Sequence, residues 1–228
     1  MKAILRLLLL ASVAAGQTPE PELPHAFPRD GVKRVFDNER VTIWDVTWIK
    51  GKPSPMHRHK YDLVGVYLVG SSIRITMPDG TSRESEVEEG FVLFQPKGVT
   101  HIEEGVVEDN PRHAILIDLK DHEVPPYPNT SGYPNAFPRK GAEKRLENDR
   151  VVIWEYRWIP GEPTPMHFHD KDVVVVVMEG GELASTTPDG TRRVAKLARG
   201  EASFTPGDRV HTEEHVSGAA RAILVELK

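Results

Sequence analysis

The 228-residue chain contains no cysteine, which excludes disulfide scaffolds, thiol nucleophiles, cysteine-ligated zinc and a lipoprotein anchor. It has no excess of basic charge either: 29 Lys+Arg stand against 34 Asp+Glu, a formal net charge of −5. No positive stripe follows from that balance, so nucleic acid is not an expected partner. Sustained helical periodicity is missing as well, and no apolar run reaches the roughly 20 residues that span a bilayer. The longest apolar stretch lies at the start, where Lys2 and Arg6 lead into Leu7 to Leu10 and then Ala11, Ser12, Val13, Ala14, Ala15 and Gly16. A basic start, a short apolar centre and small residues before Gln17 read as a secretory signal peptide over residues 1–16. The expected location is therefore outside the cytosol, periplasmic or secreted, with no membrane attachment after cleavage. Residues 17–23, rich in Pro and Glu, read as a disordered leader.

What the chain does have is a repeat. Pro24 to Glu104 aligns with Pro134 to Glu214 without a gap at an offset of 110. Ala26-Phe27-Pro28-Arg29 returns as Ala136-Phe137-Pro138-Arg139, Trp44 and Trp48 as Trp154 and Trp158, and Pro78-Asp79-Gly80-Thr81 as Pro188-Asp189-Gly190-Thr191. The endings match too, after a two-residue deletion: Ala114 to Ile117 answers Ala222 to Val225. Such self-similarity marks a tandem duplication. The domain reading is one copy over 24–120, a polar linker over 121–133 and a second copy over 134–228.

Each copy shows short apolar or alternating runs between turn residues, the pattern of an antiparallel sandwich or barrel. Strands are expected at Val41 to Ile49, Leu63 to Val69, Ile73 to Met77, Phe91 to Phe94 and Ala114 to Leu119, and in the second copy at Val173 to Val177. The four tryptophans read as core.

Ten histidines are present, and the repeat sorts them. His57, His59 and His101 match His167, His169 and His211, whereas His25, His113, His122 and His215 have no matching histidine. The unmatched four read as exposed or satisfied. Two histidines at i and i+2 on a strand share a face, so His57 with His59, and His167 with His169, present two imidazoles to one point. The turn at Pro96-Lys97-Gly98 can bring His101 back across the barrel as a third. Neutral imidazoles suit transition metals better than Mg or Ca. Glu103 and Glu213, two residues beyond His101 and His211, share that face and are candidate catalytic carboxylates, able to accept a hydrogen bond or move a proton. Tyr61 has the parity to approach the first site, where the second copy has Lys171, so the sites need not be equivalent. Arg58 and Phe168, between the paired histidines, should face outward.

These blocks resemble the cupin superfamily, and the doubling resembles its bicupins. Gly51, His57, His59 and Gly70, with Gly161, His167, His169 and Gly180, resemble the first cupin motif. Gly90, Pro96, Gly98 and His101 resemble the second, as do Gly200, Pro206 and His211, although Gly207 comes one place early and Asp208 takes the glycine position. Pro-Met-His-x-His, the Pro-Asp-Gly turn and the Glu226-Leu227-Lys228 ending are similar to small single cupins linked to β-alanine degradation. The resemblance implies an all-β fold of two tandem jelly-roll barrels, and a divalent transition metal (Fe, Mn, Zn, Ni or Cu) on the three matched histidines of each copy.

The motif's fourth ligand, a glutamate, falls on Leu63 and Val173. Asp62 and Asp172 lie one residue earlier and are candidate metal ligands, provided a bulge re-aims them against the alternation. Without a carboxylate, three imidazoles leave the metal charge uncompensated, which favours hydroxide or an anionic small molecule in the open positions. That departure weakens an analogy with oxalate-decarboxylating bicupins and strengthens one with three-histidine dioxygenases. Two functions stay open: a metal-dependent oxygenase or hydrolase acting on a small carboxylate, and a non-catalytic metal- or ligand-binding or structural bicupin. Either suits a monomer or a homo-oligomer.

Overall fold

The computed structural model describes residues 22–228; the signal-peptide reading and most of the leader lie outside the described residues. Every regular element among them is a strand. The first copy holds β1 (Val32–Asp37), β2 (Val41–Thr47), β3 (His57–Arg58), β4 (Asp62–Val69), β5 (Ser71–Thr76), β6 (Ser82–Val87), β7 (Val92–Gln95), β8 (Thr100–Gly105) and β9 (His113–Leu119). The second holds β10 (Ala142–Glu147), β11 (Val151–Arg157), β12 (His167–His169), β13 (Val173–Thr186), β14 (Arg192–Leu197), β15 (Ala202–Thr205) and β16 (Arg209–Leu227). Strand β13 runs through what is β4 and β5 in the first copy, and β16 through β8 and β9.

Each copy folds into a two-sheet barrel. In the first, a sheet ordered β1-β2-β9-β4-β7 faces one ordered β3-β8-β5-β6. The second copy keeps the same antiparallel partners, with the long β13 and β16 passing from one side to the other through register shifts. Met77 and Thr81 close the Pro78-Asp79-Gly80 turn, where Gly80 takes φ of 83°.

The near-continuous apolar runs of β2, β4 and β9 arise because both faces are covered. Trp44, Val46, Trp48, Leu63, Tyr67, Ala114 and Leu116 fill the first barrel. The alternate residues Val41, Ile43, Val64, Val66, Leu68, Ile115, Ile117 and Leu119 point out of it and meet Val151, Ile153, Val174, Val176, Met178, Ile223, Val225 and Leu227 of the second. The two barrels therefore share a third core between them. Phe36 stacks on Phe204 across it, with ring centroids 5.4 Å apart. At its edge Arg199 donates to Glu89 at 3.1 Å, to the Met178 carbonyl at 2.6 Å and to the Leu68 carbonyl.

The expected strands of the first copy lie within a few residues of those found, although Trp48 and Ile49 fall beyond β2, while Val173 to Val177 is the start of the longer β13. Strands β1 and β6, reading VKRVFD and SRESEV, carry too many charged residues to stand out as apolar runs. They are largely exposed and need only one face compatible with the barrel.

Candidate metal centre

The short strand β3 pairs with β8 in a register that sets His57 opposite His101, and β12 pairs with β16 so that His167 lies opposite His211. With His59 and His169 on the same faces, the six matched histidines gather as two buried triads, His57/His59/His101 and His167/His169/His211, whose ligating atoms lie within 4.8 Å of one another in each group. The Nε2 atoms converge: 3.2 Å separates those of His59 and His101, 3.2 Å those of His167 and His169, and 3.0 Å those of His169 and His211. Nδ1 of His57 lies 3.0 Å from the Pro55 carbonyl, and Nδ1 of His167 lies 2.8 Å from the Pro165 carbonyl. Nδ1–H donation to these carbonyls leaves the Nε2 lone pairs directed inward. Burial holds the imidazoles neutral, lowering His57 and His211 to about 4 and His59 to about 3, with His101, His167 and His169 lowered by the same cause. Buried, neutral and convergent nitrogen donors are what a divalent transition metal requires.

The structure places Asp62 and Asp172 elsewhere, and for the reason that alternation supplies. Both point out of their barrels into the shared interface. Asp172 accepts from Arg40 at 2.7 Å and from the Gly207 N–H at 2.7 Å. Asp62 accepts from Arg150 at 2.5 Å and from the Lys97 N–H at 2.9 Å. No bulge re-aims them, so as metal ligands they are corrected: they form reciprocal ion pairs between the barrels.

Glu103 and Glu213 do lie beside the triads. Glu103 Oε1 is 3.7 Å from His101 Nε2, and Oε2 takes a 2.6 Å bond from Arg29. Glu213 accepts from Arg139 at 3.1 Å and Trp158 Nε1 at 3.2 Å. Burial would raise the Glu103 carboxyl, but Arg29 and His101 outweigh it and hold it at about 2; Glu213 is lowered against the same opposition by Arg139 and the histidines. Carboxylates held ionised in this way accept hydrogen bonds and offset charge, and near neutrality they are poor proton shuttles.

The sequence reading passed over Arg29 and Arg139, although their place in the duplicated Ala-Phe-Pro-Arg block was a visible signal. It also passed over Ser54 and Thr164, whose hydroxyls accept the Glu103 and Glu213 N–H groups at 3.0 and 2.8 Å. Ser54 Oγ further lies 3.2 Å from His57 Nδ1. Tyr61 stays outside the triad and packs its ring on His25 at 5.8 Å, while Lys171 pairs with Asp170 at 2.7 Å. Of the unmatched histidines, His25 is held by Asp118 at 3.0 Å, His113 by Asp45 at 2.6 Å and His215 by the Gly218 carbonyl at 2.8 Å, while His122 is exposed. Arg58 is exposed as expected, but Phe168 is buried. In the turn before His211, Asp208 takes φ of 53° where Gly98 takes 91°, so the second copy keeps the left-handed turn without the glycine.

No family model matches the chain. Over 96 residues it is 35% identical to the β-alanine degradation protein BauB of Pseudomonas aeruginosa, a match spanning 42% of this chain and 95% of that one. Among solved structures it superposes on a cupin 2 conserved barrel domain protein from Leptotrichia buccalis with a TM-score of 0.55, at 15% identity, covering 93% of this chain and 92% of that one. The chain belongs to the cupin superfamily. This bicupin also superposes on Bacillus subtilis oxalate decarboxylase, a protein with Mn(II) centres, with a TM-score of 0.56 at 14% identity over 83% of this chain and 69% of that one. That likeness shows the fold: two barrels in one chain. With its two histidine triads the protein fits a metal-binding cupin.

Proposed function

We propose that His57/His59/His101 and His167/His169/His211 each hold a divalent transition metal, and that this bicupin is a metal-dependent enzyme acting on a small carboxylate. One observation carries the reading: in each barrel three buried, neutral imidazoles direct Nε2 at one point. A bound metal would supply Lewis acidity toward a ligand oxygen. The chain's own residues do the rest. Pro55 and Pro165 orient one imidazole in each triad, Glu103 and Glu213 offset charge, and Arg29 and Arg139 hold those carboxylates in place. Cavities of about 410 Å³ beside His167 and about 550 Å³ beside Glu103 suit a small molecule. The Mn(II) of oxalate decarboxylase supports a divalent metal, and Leu63 and Val173 in place of a ligand glutamate support a three-histidine site that takes an anion.

The same pair of apolar residues, together with carboxylates already paired with arginines, favours the second reading of a non-catalytic metal- or ligand-binding bicupin. Export is part of the proposal, supported by the basic and then apolar start of the sequence; N-terminal sequencing of the protein recovered from its native host tests cleavage before Gln17. The deciding experiment is elemental analysis of the exported protein and of His57→Ala and His167→Ala. The expected result is two metals per chain, reduced to one by either change. Absence of metal, with no uptake of Fe, Mn, Ni, Cu or Zn, overturns the reading; metal at both sites without turnover of any small carboxylate leaves the binding function in its place.

A further inference from the structure

The second triad carries an arginine that the first lacks, and it lies at the metal-facing edge of the imidazoles. Position 99 is Val99 in the first copy, and 110 residues on it is Arg209. Arg209 opens β16 opposite His169 in the strand register. Its Nε donates to the Pro206 carbonyl at 3.0 Å, and its Nη1 lies 3.1 Å from His211 Nε2. From another side Arg139 Nη1 lies 3.3 Å from His167 Nε2, while its Nη2 is held by Glu213. Both guanidinium groups therefore address the nitrogen lone pairs that a metal would use. The first barrel is arranged otherwise. Arg29 is paired with Glu103, and both its Nη1 and the Nε2 of His57 are without a hydrogen-bond partner.

The charge balance differs accordingly. Beside the first triad Arg29 and Glu103 cancel, and the other cation acting on it, Arg83, is exposed. Beside the second, Arg139 and Arg209 share Glu213, while the other carboxylates that act on them are committed elsewhere, Asp172 to Arg40 and the Gly207 N–H and Glu226 to Trp154. A divalent ion entering the second triad must displace two N–H donors and remain beside an uncompensated positive charge in a buried setting, where repulsion is poorly screened. A small carboxylate removes both obstacles, because it takes the planar donors of a guanidinium and leaves an oxygen for the metal. The cavity of about 410 Å³ that His167, Arg139 and Tyr156 line reaches the triad from the Arg139 side.

We propose that the second barrel binds its metal together with a small carboxylate drawn to Arg209, whereas the first binds its metal without one. The inference rests on the metal reading above, and the test separates the two. His57→Ala isolates the second site and His167→Ala the first; His59→Gln and His169→Gln serve as alternatives if either alanine variant fails to fold. Each is titrated with Mn(II), followed by calorimetry and by the Mn(II) paramagnetic resonance signal, in carboxylate-free buffer with and without formate, with chloride matching ionic strength. At the second site formate should tighten Mn(II) binding about tenfold, within the usual range of coupling between sites, and Mn(II) should tighten formate binding by the same factor. The first site should change less than about twofold by the same measure. Arg209→Val, the first-copy residue, should strengthen formate-free binding at the second site and abolish the dependence, and Arg209→Gln, which keeps a donor but loses the charge, should do the same. Equal formate effects at both sites, or none at the second, overturn the proposal while leaving two metal sites. Failure of both variants to bind Mn(II), and equally Fe, Ni, Cu or Zn, overturns the metal reading itself.

Discussion

Replacing Asp172 with asparagine should destabilise the protein strongly and leave its metal content unchanged. Asp172 and Arg40 are 4% and 6% exposed, and their 2.7 Å contact is supported by the Gly207 N–H on the carboxylate and by the Lys228 carbonyl, 3.1 Å away, on the guanidinium. The substitution keeps the shape but leaves a buried guanidinium without its counter-charge, which typically costs about 3–5 kcal/mol. For a chain of this size that corresponds to a drop of about 6–20 °C in Tm. The reciprocal Asp62–Arg150 pair is more open, with side chains 13% and 18% exposed, so Asp62→Asn should cost less, about 1–3 kcal/mol. Adding Arg40→Met to Asp172→Asn removes the stranded charge and should recover most of the loss. Urea denaturation beside metal analysis gives both readouts. Loss of metal from a variant of undiminished stability would refute the interface role and return Asp172 to the ligand set. A cost below about 1 kcal/mol would refute the reasoning about burial.

Metal-free protein should be sensitive to mild acid. His57, His59 and His211 titrate at about 4, 3 and 4 when folded against 6.5 unfolded, so the unfolded chain binds more protons as pH falls below 6.5. Each such histidine should remove about 2 kcal/mol between pH 7 and pH 5, a window in which Glu103, held at about 2, stays ionised; a urea midpoint that stays flat over that interval contradicts this. Asp208→Gly should raise stability by about 0.5 kcal/mol by relieving the left-handed backbone that Gly98 adopts freely in the other copy, and a lowered Tm would count against it. Ser54→Ala removes the hydroxyl beside His57 Nδ1 and should weaken metal binding about tenfold at the first site alone, as read in a His167→Ala background.

The duplication, the two-barrel architecture and the gathering of six histidines were legible in the sequence because each is a local or periodic signal written twice. Matching positions separated the triads from the four unmatched histidines, and alternation already set Asp62 and Asp172 against the histidine face. What alternation could not supply was their partners. Arg150 lies 88 residues from Asp62 and Arg40 lies 132 from Asp172, in the bends that lead into β11 and β2, and they meet their partners only after both barrels have formed. Arg209 was hidden differently: a lone arginine in a turn reads as solvated until β12 and β16 pair and bring it against His211. Strands β1 and β6 escaped notice because their exposed faces dilute the apolar pattern.

Arg199 and Glu89 hold corresponding places in the two copies, 110 residues apart, yet they bear opposite charges and meet each other at 3.1 Å. The carbonyls that Arg199 takes, those of Leu68 and Met178, are likewise one another's counterparts. Such a meeting point lies on an approximate two-fold axis, where a residue in a symmetric dimer would confront its own copy. Two first halves would oppose glutamate to glutamate, and two second halves arginine to arginine. Complementarity at that spot is available only to unlike halves, which one continuous chain supplies at fixed stoichiometry. Joined in this way, each barrel is released from serving as its own partner, and one of them can acquire an arginine beside its histidines that the other never carries.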